Sequence, residues 1–392
     1  MVNKISKDYL IYILLLFPFL ELPILGNTKI NYAFVVLKVI STLCSCTLLI
    51  KEYFAKNKNC ISKELLLIIF LESVFVFSTV INNGKIVESI GDALAIIIPC
   101  FLIEYFSKKF DLSSLIKPIV YIFFVYSVLN LFNLFIASGD ENYIYLLGID
   151  NRFIFTFLPL CSFSLILYLH DTHKKYLIIT VISFIISNFS LLYTWSVSAM
   201  VFMLFYTIFV LLLLLKQSWC KIFNYKSFLI FALIFNFLVV GLRIQNYFGD
   251  LLFFLFKKNV NLSGRIYLWD FGIQKILSKP IFGYGLCNLI QMNFGGLNHL
   301  HNLLLNVTFQ SGFVGLILFI FINILPVQNM MKYKENKNVI VISVTIFTML
   351  LLSLFDTLDY SFLFIFYILT NICIVDNNIS IYKFKKYIER KR

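Results

Sequence analysis

Apolar runs about as long as a bilayer core is thick recur along this chain. That recurrence limits the fold more than any other feature. A helix needs about 20 residues to cross the hydrocarbon. Twelve segments of suitable length occur, near residues 9–26, 30–50, 64–81, 86–106, 115–137, 153–169, 176–193, 196–215, 225–242, 303–325, 338–354 and 358–375. Of the 392 residues, 60% are hydrophobic and only 14% are charged, and the mean hydropathy is +0.89. A water-soluble core cannot hide that much apolar surface. Helices satisfy their own backbone in lipid. The expectation is an all-α polytopic membrane protein with about twelve transmembrane helices and one long extracytoplasmic loop, residues 1–392 forming a single integral membrane domain. Lys4 and Lys7 precede the first segment as in a signal peptide. No small-residue cleavage site follows and further spans do, so it is expected as a retained first helix.

The basic residues orient the spans. With the N-terminus in the cytoplasm, 23 Lys and Arg fall on inner segments, and the short outer loops hold only Lys29, Lys85 and Arg152. This positive-inside pattern predicts that both termini are cytoplasmic. It also accounts for the formal net charge of +13 without nucleic acid. The eight cysteines lie mostly in apolar runs, with Cys287 alone in the long outer loop, so that loop cannot close a disulfide within itself.

That loop, residues 243–302, runs against the charge bias. It carries Arg243, Lys257, Lys258, Arg265, Lys275 and Lys279. Long loops escape the positive-inside rule, or the charge receives an anionic substrate; both readings stand here. Leu251–Phe256 is too short to span and is expected at the interface. Ile266, Trp269, Ile273, Ile276 and Leu277 share one face at helical spacing. Ser263 is the expected N-cap of an interfacial amphipathic helix, and Lys279-Pro280 its end. Gly283-Tyr284-Gly285 is expected to turn.

Where the loop meets the tenth segment stands His299-Leu-His301-Asn302, and after nine intervening residues come Gly312 and then Gly315. Imidazole transfers protons near neutral pH. The glycines are expected to let another helix approach. His301 is either a helix-capping polar group or a catalytic base. A metal reading would join Cys287, His299 and His301, but Cys287 is twelve residues from His299, and zinc needs three or four ligands in suitable geometry; no metal is expected. The outward-pointing N-terminus of the tenth segment is expected to offer amides and a positive dipole to phosphate. Arg152, Arg243 and Arg265 are the outward arginines suited to forked phosphate contacts. Arg152 shares its loop with Asp140, Glu141 and Asp150, so a local ion pair is the alternative, and Arg265 would otherwise be an interfacial anchor. Lys38, Glu72, Glu88, Asp92 and Glu104 lie within spans, where charges pair or line a cavity.

These residues resemble the O-antigen ligase and Wzy polymerase superfamily of bacterial surface-polysaccharide enzymes. Its pattern of His, then Asn, Ser or Gln, nine residues, Gly-x-x and Gly, Thr or Tyr is met by His301-Asn302 and Gly312-Phe-Val-Gly315. The upstream Arg, Trp, Pro and Gly-x-Gly of that family correspond to Arg265, Trp269, Pro280 and Gly283-Tyr-Gly285. The motif region covers about 50 residues, and the layout of spans with one late outer loop agrees over most of the chain. The resemblance implies a membrane glycosyltransferase of GT-C-like architecture, metal-independent, inverting and without cofactor, in the bacterial cytoplasmic membrane with its active site on the outer face. It implies His301, Arg265 and Arg152 as catalytic residues, with Arg243 the alternative second arginine. Arg243, Asn302, His299, Trp269 and Tyr284 are expected to bind substrate. The implied partners are an undecaprenyl-diphosphate-linked oligosaccharide, the lipid bilayer, a chain-length regulator protein and a flippase, and no nucleic acid. The implied activity is polymerisation of O-antigen or capsule repeat units; transfer to lipid A core by a ligase, or flipping of the lipid-linked sugar, are the alternatives.

Overall fold

The computed structural model describes residues 6–54, 61–136, 143–249, 254, 264–287, 299–356 and 360–374. Their secondary structure is helical: α1 (Lys7–Leu16), α2 (Ile30–Phe54), α3 (Lys63–Ile81), α4 (Ile86–Ser107), α5 (Leu112–Ile136), α6 (Ile154–Asp171), α7 (Lys174–Tyr193), α8 (Val197–Leu215), α9 (Tyr225–Asn236), α10 (Arg265–Ser278), α11 (Leu303–Ile324), α12 (Val327–Lys332), α13 (Lys337–Leu352) and α14 (Ser361–Ile374). Among the described residues, eight helices are long and apolar enough to cross a membrane: α2 to α8, and α11 with its continuation to Lys332. The chain is a multi-pass membrane protein.

Twelve spans are not reached on this measure. The first expected segment forms a helix of ten residues, after which Pro18 and Pro23 lie in short 3-10 turns, Phe17–Leu20 and Pro23–Asn27. Proline lacks the amide that would continue an α-helix. The ninth, eleventh and twelfth segments are shorter apolar helices, Tyr225–Gly241, Lys337–Leu352 and Ser361–Ile374. Leu251–Phe256 and Ser263 lie outside the described residues, Phe254 apart. The cap position of α10 is Gly264, with φ 86° and no side-chain cap bond.

Helix α6 runs through the centre, buried from Thr156 to Leu167. Its Ser162 hydroxyl meets Tyr206 of α8 at 2.9 Å and Thr345 of α13 at 2.8 Å. Polar groups in an apolar interior need such partners. At the end where the short basic loops gather, Lys108 pairs with Glu52, Lys109 with Asp8 at 2.9 Å and Lys117 with Asp171 at 3.1 Å. The span charges are also engaged. Lys38 pairs with Glu21 at 3.1 Å and Lys85 with Glu88 at 2.9 Å, while Glu104 accepts from the Ser62 amide at 2.6 Å.

One junction positions the site. Helix α11 is broken at Gly312, whose φ 65° and ψ −168° are open only to glycine. At this break the Phe313 amide donates to Pro280 O at 2.7 Å, while the amides of Tyr284 and Gly285 donate to Phe309 O and Gln310 O, each at 2.8 Å. Gly283, also at positive φ, lies so close that a Cβ there would stand 2.4 Å from Phe309 O. What approaches at Gly312 is therefore a loop, residues 280–285, and not the expected helix. The backbone groups freed at the break find their partners in that loop. Gly315 does face a helix, with Leu71 of α3 3.6 Å from where its Cβ would be.

Candidate active site

Leu300 is fully buried against Ile276 of α10 and Phe309 of α11. The two flanking histidines emerge together, their rings edge-on with centroids 4.2 Å apart. His301 adopts the left-handed conformation, φ 47°, a conformation that costs a non-glycine residue about 1–3 kcal/mol and is found at sites that use it. The chain then enters α11 through Asn302, which is fully buried and accepts the Leu305 amide at 3.0 Å.

The end of α13 docks on this start. Ser353 O accepts the Leu303 amide at 2.8 Å, and Leu354 O accepts from Asn302 Nδ2 at 3.4 Å. The turn that follows brings Asp356 Oδ1 to 3.3 Å from His301 Nδ1. Sequence reasoning missed Asp356, which lies 55 residues further along the chain. An acidic residue in the short gap between two apolar segments was the available signal.

The arginines complete the charge pattern. Burial lowers the Arg265 pKa, and the nearby charge of Asp356 opposes that shift. Burial would raise the Asp356 pKa, but the His301 hydrogen bond and the charges of His301, His299 and Arg265 hold it below the ordinary carboxylate value. His299 is pushed down to about 4, first by burial and then by His301, with Asp356 opposing and Arg152 adding to the shift. His299 is therefore neutral at neutral pH. These couplings join His299, His301, Asp356, Arg265 and Arg152 in one electrostatic cluster.

An ionised carboxylate facing Nδ1 fixes the proton on that nitrogen and leaves Nε2 as the acceptor. The His301–Asp356 pair is thus arranged as a general base with an orienting partner. Ligand atoms of His299, His301 and Asp356 all lie within 4.8 Å of one another, a set that would also suit a divalent cation. The third member of that set is Asp356 and not Cys287, the residue through which a metal site is considered and set aside from the sequence.

The other expected site residues are differently engaged. Arg243 pairs with Asp270 and lies 5.3 Å over the Trp269 ring. Trp269 is fully buried and packs on Val239 and Val240. Tyr284 stacks on Phe309 at 5.1 Å, and its hydroxyl meets Ser278 at 2.7 Å. Asn302 serves as the helix cap. With the amides of Leu303 and Leu305 already bonded, the start of α11 has fewer donors for phosphate than its position promised. Leu277 of α10 is 70% exposed, so the buried face of that helix is Leu268, Trp269, Gly272 and Ile276. Arg152 closes a 3-10 turn, Asp150–Arg152, and lines a cavity of about 480 Å³ beside the cluster.

Comparison with known proteins agrees with the motif. Residues 182–320 match the family model described as O-Antigen ligase. That stretch includes Arg265, His299 and His301, and leaves Arg152 and Asp356 outside it. A protein of Rickettsia conorii named, by inference, a polysaccharide ligase is 32% identical over 97 residues, 21% of this chain and 23% of the relative. The match thus spans under a quarter of that relative's length.

Proposed function

The chain resembles the O-antigen ligase and Wzy polymerase superfamily, in its family-model match as in its motif, and from that premise we propose that it transfers a glycan from undecaprenyl diphosphate to a sugar hydroxyl at the outer face of the cytoplasmic membrane. The acceptor is a lipid-linked repeat unit, which makes the chain a repeat-unit polymerase for O-antigen or capsule. The His301–Asp356 pair beside Arg265 and Arg152 is the observation that supports this reading. His301 Nε2 accepts the proton of the acceptor hydroxyl as its oxygen attacks the anomeric carbon. The bond from that carbon to the diphosphate oxygen breaks on the opposite side, inverting the centre. Arg265 and Arg152 stabilise the departing diphosphate, whose charge develops in the transition state. No metal is needed for these roles, so activity of the purified protein should survive strong chelation; loss on chelation, restored by one divalent ion, would count against it.

A second reading, ligation to lipid A core, is favoured by the names of the matched family and relative, both of which speak of a ligase. One experiment addresses both. In a strain lacking the gene, His301→Ala at matched expression should give inserted protein and no polymer, with single lipid-linked repeats accumulating; general-base removal costs about 10²–10⁴ in rate. Normal chain lengths from this variant would refute the assignment. Long chains held on undecaprenyl diphosphate and absent from lipid A core would favour the ligase reading.

A further inference from the structure

Resting on that reading, we infer that the cavity beside Arg152 is a subsite for one uncharged sugar of the lipid-linked glycan, held by Asn306 and Gln310. The cavity is bounded by the turns after α1, by α2, α3, α4, α5, α6 and α11, and by the start of α14. Its volume of about 480 Å³ falls in the range of small-molecule sites, roughly 300–1,000 Å³. Asn306 and Gln310 lie four and eight residues into α11 from its cap, about 6 and 12 Å down the helix. Polar side chains at such depth in a membrane protein commonly line a functional path.

Three features identify the occupant. Asn306 Nδ2 donates to Gln310 Oε1 at 3.2 Å. Among the described residues, this leaves Asn306 Oδ1 and the Gln310 amide nitrogen without hydrogen bonds, an acceptor and a double donor directed at a neighbouring hydroxyl-rich molecule. A lipid tail would leave both unsatisfied in a buried place, at a cost. Phe123, Tyr126 and Phe155 provide aromatic surface on the same cavity, suited to the apolar face of a sugar ring. The lining charges, Lys38 and Arg152 against Glu21 and Asp92, sum formally to zero. With Lys38 paired to Glu21, an acidic sugar would bring a charge the cavity does not match. Arg152 is at once a lining residue and coupled to His299, so the sugar would sit next to the diphosphate that Arg152 neutralises.

The test uses full-length purified protein and two probes, bare undecaprenyl diphosphate and the lipid-linked repeat unit extracted from a strain lacking the gene. Binding is read by native mass spectrometry. Wild type should prefer the sugar-bearing lipid by about tenfold, the scale of one or two net hydrogen bonds. Gln310→Leu should abolish that preference while binding of the bare lipid is unchanged. Gln310→Glu, nearly isosteric but without the donor, should do the same if the leucine variant fails to fold. Equal affinity of wild type for the two lipids, or a preference that survives both variants, overturns the sugar subsite and leaves the transferase reading intact. Binding of neither lipid overturns the transferase reading and the subsite with it.

Discussion

Asp356 and the two histidines form a unit whose members are each set by the others. Asp356→Asn keeps the shape but removes the charge that orients His301; rate should fall by about 10²-fold or more, with KM for the lipid donor little changed. Equal activity across pH in mutant and wild type would remove Asp356 from the mechanism. His299 has a pKa depressed from 6.5 to about 4. Below pH 6.5 the unfolded chain takes up a proton that the folded chain refuses, so stability is full above that value and is lost as pH falls toward 4. A thermal melt of His299→Asn should therefore be flatter than wild type between pH 6.5 and 4. Arg243 tests the assignment of arginines. Its ion pair with Asp270 and its place over Trp269 give it a packing role, so Arg243→Gln should lower stability by about 1 kcal/mol and leave turnover near wild type. Arg152→Gln and Arg265→Lys should lose most turnover, since a lysine cannot reproduce the forked contact. His301 and Arg265 were readable because motif spacing is local. Asp356 was not, because nothing in a linear pattern reveals that the end of α13 docks on the start of α11.

Among the elements, α11 depends most on backbone geometry. The spacing of Gly312 and Gly315 was visible in the sequence, but their joint purpose was not. A Cβ at Gly312 would stand 2.1 Å from Ile281 O, and φ there is 65°. Gly312→Ala therefore meets both a collision and a backbone strain of about 1–3 kcal/mol, and should sharply reduce folded protein recovered from the membrane. Gly264 also has positive φ but nothing within 4 Å of its Cβ position. Gly264→Ala should cost only the left-handed backbone penalty of about 1–2 kcal/mol. Equal thermal shifts for the two, measured by fluorescence-detected size exclusion, would show that the loop 280–285 does not need the break in α11. Apolar periodicity found the buried face of α10 at Trp269 and Ile276 and misjudged Leu277, which lies beyond the arc that Leu300 and Phe309 on one side and Val239 and Val240 on the other cover.

Across the whole molecule, hydropathy located the segments well, including α4, α7 and α8. Among the described residues eight of the twelve segments form helices of spanning length, and at the first segment proline shortens the helix, which hydropathy does not see. Orientation is open to direct measurement. Cys220 is 1% exposed and is a poor reporter, so cysteines should be introduced at Tyr247 and Lys221, both exposed, in a chain lacking Cys46 and Cys287. An impermeant thiol reagent on intact cells should label position 247 and spare position 221; the reverse would invert the proposed topology. The loop that closes on α11 has a bearing on where the chain accepts an insertion. Leu286 is held by Thr79 and Lys85 of the α3–α4 hairpin, while His301 is held through its neighbours by the end of α13. The two ends of the intervening stretch are thus anchored independently, and doubling the length of a connection adds only about 0.6 kcal/mol of closure cost. An insertion between residues 288 and 298 should then leave both anchors, and with them the placing of His301, undisturbed.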